Sequence, residues 1–195
     1  MKRPKLKFDQ RKAFHALLFV VQHISRPANV YNVLKCLYYA DRKHLQEHGC
    51  QICGDTFYAF EHGPVPSAAC EIVKYAGGRA KWDLKFPEAL ELLEVNDVYL
   101  SARGAPDAEL LSRSDMVCLL EAARKYGTMP FGKLKKLSRQ GKAFENADSN
   151  GEMQLADLID ELCDSKAVAA HLKDRNPGEP DAKKDSPRHA KARAA

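Results

Sequence analysis

The sequence predicts a mainly α protein, a compact helical domain with one or two short β-hairpins and a disordered basic C-terminal tail. Three observations carry this prediction. Apolar residues recur at helical spacing behind recognisable capping residues, short β-prone runs are bounded by Gly, Pro, Asn and Asp, and the last twenty or so residues contain almost nothing large and apolar.

Taken in order, Asp9 is placed to cap a helix over residues 9–24, with Phe14, Leu17, Leu18, Val21 and Ile24 on one face and Arg26-Pro27 ending it. Asn29 then caps a second helix whose stripe is Val30, Val33, Leu34, Leu37, Tyr38 and Leu45, with Gly49 as its stop. Thr56 to Phe60 reads as a strand, Gly63-Pro64-Val65-Pro66 as a stiff turn, and Ser67 as the cap of a helix to about Tyr75. Leu90 to Val95 and Val98 to Ala102 flank Asn96-Asp97, a hairpin spacing. Ser112 and Asp115 form a capping-box pattern for a helix that stops near Gly127, and shorter helices are expected at Phe131 to Ser138 and Leu155 to His171. This divides the chain into a basic arm (residues 1–8), a helical domain (9–172) and a tail (173–195).

At 195 residues and 45% hydrophobic composition the chain can bury one well-formed core. No apolar run reaches membrane-spanning length, and the basic start is not followed by a cleavable hydrophobic segment, so a cytoplasmic location is expected. Cys36, Cys50, Cys53, Cys70, Cys118 and Cys163 are scattered over expected helices, which suits reduced thiols. The net charge of +5 is carried by the ends: residues 1–12 hold +5 and residues 171–195 hold +3, leaving the body at −3. That distribution is a poor match to a phosphate-binding stripe, so nucleic acid is not the expected partner.

His44, His48, Cys50 and Cys53 form H-x3-H-x-C-x2-C, whose imidazoles and thiols are of zinc-binding type. All four fall in one short segment, however, and exposed histidines with ordinary thiols are the expectation; no metal or cofactor is assigned. Asp41, Asp55 and His62 are a candidate acid–base group, against which Asp55 reads as a turn residue and His62 as the approach to a Gly-Pro turn. Phe57, Tyr58, Phe60 and Tyr75 offer a stacking surface, of which strand alternation makes only part available. Nucleophile-elbow, phosphate-loop and metalloprotease motifs are missing, and the chain is read as a non-enzyme.

The stretches LKCLYYADRKHLQEHG and ICGDTFYAFEHGPVPSAA, in that order and spacing, closely resemble the Panacea domain, also called the SocA-like antitoxin domain, with weaker resemblance to about Ala147. Cys50, Cys53 and Arg139 depart from the family pattern, Arg139 standing where a His is expected. The resemblance implies an antitoxin of a type II toxin–antitoxin pair, bacterial or phage-borne, that neutralises a cognate protein toxin, such as a translation inhibitor, by direct binding. It also implies an alternative, an adaptor delivering the toxin to a AAA+ protease, for which the Ala194-Ala195 end would be a signal. The candidate partner-binding residues are Asp41, Asp55, Phe57, Tyr58, His62 and Val65. Gly54, Gly63, Pro64 and Pro66 are expected to set backbone geometry.

Overall fold

The computed structural model describes residues 8–25, 27–80, 86–162 and 165–175, the last five by their backbone alone. The expectations for the basic arm up to Lys7, for Cys163 and for the tail from residue 176 lie outside the described residues.

Helix α1 (Gln10–His23) starts where Asp9 accepts a hydrogen bond from Lys12 N at 2.9 Å. The amphipathic reading of this helix needs correction: every residue from Ala13 to Val21 is buried. A helix apolar nearly all round has to be covered on all sides, and α1 is the central rod of the fold. Its one polar member in that run, His15, is satisfied by Asp107 N at 2.9 Å and Glu88 Oε1 at 3.0 Å.

Helix α2 (Val30–His48) is capped by Asn29, which accepts from Tyr31 N at 2.9 Å, and ends at Gly49, whose φ of 69° is left-handed and whose N–H donates to Leu45 O. Helix α3 (Ser67–Ala76) begins directly after Pro66. Helix α4 (Pro87–Leu92) leads into the hairpin of β4 (Leu93–Asn96) and β5 (Tyr99–Ala102), and β1 (Ala28–Asn29) pairs with the far side of β5 in an antiparallel sheet of order β1-β5-β4. Two expectations shift here. Leu90 belongs to a helix, with Pro87 at its first turn. The hairpin loop is Asp97-Val98, one residue later than the sequence suggested, with Asp97 at φ 53° and Asn96 paired to Tyr99.

Helix α5 (Arg113–Tyr126) opens with the expected capping box, Ser112 accepting from Asp115 N and Asp115 from Ser112 N. It lies against α1 and α2, and Leu17, Leu18, Val33, Leu37, Leu119 and Ala122 meet in the main core. Helices α6 (Phe131–Ser138) and α7 (Lys142–Glu145) follow. The single helix expected over Leu155 to His171 is instead α8 (Leu155–Asp160) and α9 (Ser165–Arg175). Both pack on the body: Ile159, Leu162 and Val168 cluster with Leu45 of α2. Among the described residues, no helix is long and apolar enough to cross a membrane.

The stretch read as a stiff turn, Gly63 to Pro66, is in fact strand β3 (Gly63–Pro66), paired antiparallel with β2 (Phe57–Phe60). The turn is Glu61-His62, between the pair Phe60 and Gly63. Pro64 and Pro66 occupy alternate positions of an edge strand, where a missing N–H is tolerated. The other side of β2 is covered by residues 150–153, through Ala59 N to Gly151 O at 2.9 Å and Met153 N to Phe57 O at 2.8 Å.

Candidate partner-binding site

Three buried ionisable side chains, Asp55, Asp41 and Lys35, fix the β2–β3 hairpin and the loop that leads into it. Asp55 is the most heavily used. Its Oδ1 accepts from Thr56 N at 2.7 Å and Ala68 N at 2.9 Å, and its Oδ2 from Ala69 N at 3.0 Å. Ala68 and Ala69 are in the first turn of α3, so the carboxylate satisfies helix donors that otherwise have no partner. This corrects the assignment of the cap to Ser67, which is the first residue of the helix, with Pro66 in the cap position and no side-chain capping bond from it. Burial still raises the Asp55 pKa, opposed by those three N–H groups.

Asp41, on α2, accepts from Ile52 N at 2.7 Å and so ties the loop after α2 back to the helix. Burial pushes its pKa up to about 7. Asp41, Cys53 and Asp55 share a small cavity with Ala16, Leu37 and Leu119. His62 is not with them: its ring is exposed, edge-on to Phe131 at 5.3 Å and 3.6 Å from Glu61 Oε1. The structure therefore does not assemble the Asp41, Asp55 and His62 group.

Lys35 is wholly buried, its Nζ donating to Pro64 O at 2.6 Å and standing 5.1 Å from the Tyr31 ring centroid. Among the described residues no carboxylate pairs with it, and burial pushes the amine down to about 7. Directly above lies Gly63, at φ 98°, where a Cβ would collide with Ser138 Oγ and stand 3.0 Å from Lys35 Nζ. Glycine is required here both by conformation and by space.

On this frame sits an aromatic rim. Tyr31 packs against Phe131 at 4.8 Å and donates its hydroxyl to His62 O at 3.0 Å, and Tyr58 and Phe60 lie near-parallel at 6.1 Å. Phe60 is 40% and Phe131 50% exposed, among the most exposed large apolar groups of the described residues. Strand alternation separates two of the residues expected to bind the partner: Phe57 faces inward and is buried against Tyr38 at 5.1 Å, whereas Tyr58 is half-buried on the outer side. Asp41, Asp55 and Phe57 are interior groups that shape the face without being on it. Tyr58, Val65 and His62 are accessible in part or in full. Tyr31, Phe131 and Lys35 were missed; the first two come to the hairpin from other helices, and Lys35 looks like an ordinary polar position of α2.

The cluster His44, His48, Cys50 and Cys53 is brought together only in part: His44 Nδ1 lies 3.8 Å from Cys50 Sγ and the His44 ring 4.6 Å from that of His48, but the four donors do not meet at one point. His44 is buried, contrary to the expectation of exposure: its Nδ1 bonds to Cys50 O at 2.7 Å and its Nε2 lies 3.1 Å from Ser114 Oγ and 3.2 Å from Asp115 Oδ1. Desolvation lowers its pKa. His48 is exposed, and Cys53 lines the cavity beside Asp41.

Comparison with known proteins gives one family. Residues 33–143, from α2 to the start of α7, match the family described as antitoxin SocA-like, Panacea domain. No curated protein and no solved structure matches the chain. The matched segment is more than half of the sequence and holds both blocks of the hairpin site with the supporting Lys35, Asp41 and Asp55; the chain belongs to the SocA-like antitoxin family defined by the Panacea domain.

Proposed function

We propose that this chain is the antitoxin of a type II toxin–antitoxin pair and holds a cognate protein toxin inactive by direct binding through the rim of the β2–β3 hairpin. The observation that carries the reading is the family match over residues 33–143, the segment that contains Tyr58, Phe60, His62 and Phe131 of the rim, with Tyr31 just before it. The physical support is the kind of surface found there. Exposed aromatic side chains on a backbone fixed by buried bonds lose little conformational freedom when a partner covers them, which is how interface anchors work. Phe60, His62 and Phe131 would make the contact, with Tyr31 and Tyr58 behind them.

The test is expression of the neighbouring open reading frame alone and together with this protein, followed by isolation of the pair. Rescue of growth with a stable complex is expected. A toxin that stays active while this protein is abundant and folded would sink the reading. Rescue accompanied by disappearance of the toxin would point to the proteolytic adaptor, whose proposed signal falls in residues 176–195, outside the described residues.

A further inference from the structure

Helix α2 runs about 18 Å from Lys35 beneath the rim to Glu47 near its end, at about 1.5 Å of rise per residue. At that far end it meets α5, and three side chains of different chemistry converge. Glu47 Oε2 lies 4.0 Å from Cys118 Sγ and 3.9 Å from His48 Nε2, and one donor atom from each residue lies within 4.8 Å of the other two. Among the described residues this is the one group of three or more potential metal ligands so placed.

The surroundings orient the group. Lys43 Nζ holds the other carboxylate oxygen, Glu47 Oε1, at 3.2 Å and also pairs with Glu121. Glu47 Oε2 is thereby left facing the thiol and the imidazole. Cys118 is buried and closes the floor, while Glu47 and His48 are exposed and leave the outer side open to solvent.

We propose that Glu47, His48 and Cys118 form a binding site for a divalent transition metal of the zinc class, with a water in the fourth position. The donor set selects the metal. A thiolate and an imidazole are poor ligands for magnesium and calcium, which take oxygen, and good ones for zinc and cobalt. Bonds of about 2.0 to 2.3 Å in a tetrahedron require donor separations of about 3.3 to 3.8 Å. The Glu47–Cys118 and Glu47–His48 distances exceed that by up to about half an ångström and all three separations lie within 4.8 Å, so the exposed Glu47 and His48 side chains draw in by up to about 1 Å for all three donors to ligate. On binding, the Cys118 S–H proton passes to solvent, a sulfur–metal bond forms, and the hydrated ion gives up water. One thiolate and one carboxylate then balance the charge of the dication. The site shares only His48 with the H-x3-H-x-C-x2-C pattern, and it does not depend on the antitoxin reading.

The experiment is titration of the full chain, purified without a chelating tag and stripped of metal, with Co2+. One equivalent should produce a near-ultraviolet thiolate-to-cobalt band, removed by Zn2+. Cys118→Ser should abolish the band, and His48→Ala should weaken Co2+ binding about tenfold or more, at least the effect of losing an outer-shell partner. Cys50→Ser should leave both unchanged. Circular dichroism of the metal-free variants shows whether each is folded; His48→Ala alters an exposed side chain and decides the matter if Cys118→Ser does not fold. Absence of the band in the wild type overturns the proposal. So does a band that survives in folded Cys118→Ser, or one lost in Cys50→Ser.

Discussion

The two small sheets of this protein are held in opposite ways. The β1-β5-β4 sheet is fixed by apolar packing: Ala28, Leu93 and Leu100 point into the main core, and its hairpin loop asks only that Asp97 adopt a left-handed conformation. The β2–β3 hairpin has apolar packing too, through Phe57 and Ala59, but its position is set by charged side chains bonded to backbone: Lys35 to Pro64, and Asp55 to the first turn of α3. The first kind of anchoring tolerates exchange of one apolar residue for another. The second is specific to atom and angle, and it leaves the outer aromatic groups free for another use.

The largest expected effect tests whether that anchoring is real. Asp55→Ala leaves three backbone N–H groups without their acceptor, and a loss of about 3 to 5 kcal/mol is expected in urea denaturation. Leu100→Ala in the other sheet should cost about 2 to 4 kcal/mol by opening a cavity, a loss that the shape of the site can partly relieve. A near-neutral Asp55→Ala would erase the contrast.

Next comes Gly63→Ala, expected to cost about 2 to 3 kcal/mol through its positive φ and the collision with Ser138. In the double variant with Ser138→Ala the collision part should be recovered and the conformational part should remain. Full additivity of the two losses, read from thermal melts, would show that Ser138 is not what crowds the position.

Charge sharpens the comparison further. The folded-state pKa of Lys35 is depressed to about 7, so above pH 7 the unfolded chain binds the extra proton and stability rises with pH toward the ordinary lysine value. Asp41 is raised to about 7, so its contribution is complete below the ordinary carboxylate range and is lost as pH rises through 7. Between pH 7 and 9, Lys35→Met should lose up to about 2 kcal/mol relative to the wild type. Between pH 7 and 5, Asp41→Asn should lose a similar amount, about 1 to 2 kcal/mol. Parallel pH profiles for wild type and variants would mean that folding does not shift the pKa of either group into these windows.

The smallest effect on folding is expected on the rim. Phe131→Ala should change stability by about 0.5 kcal/mol or less, since half of the side chain is in water. Binding of the proposed toxin in a pull-down or calorimetric titration should weaken by about thirtyfold, the loss of one anchor of about 2 kcal/mol. Unchanged binding in Phe131→Ala and in Phe60→Ala would move the interface elsewhere.

The comparison also explains what could be read from the sequence. Caps act within three or four residues, so the Asp9, Asn29, Gly49 and Ser112–Asp115 signals, and with them α1, α2 and α5, were legible. Asp55 caps a helix that starts twelve positions later, and no local pattern encodes that; it looked like a turn residue and Ser67 like the cap. Gly-Pro-Val-Pro looked like a turn because proline is rare in strands, yet β3 is an edge strand where the rule relaxes. His44 was expected outside because it lies in the last turns of an exposed-looking helix end, and the loop at Cys50 folds back over it. The rim fails the same way: Tyr31 and Phe131 are a hundred positions apart and meet only in the folded chain.

Helix α1 is covered on all sides, and one of its principal covers, α5, begins ninety residues after α1 ends. At synthesis rates of about 5 to 20 residues per second, the apolar rod leaves the ribosome about 5 to 20 seconds before that cover exists. During this interval its apolar surface lacks that cover and is prone to aggregation. A chain interrupted before Arg113 cannot complete its core, so each nascent molecule becomes a folded protein only when most of it has been made.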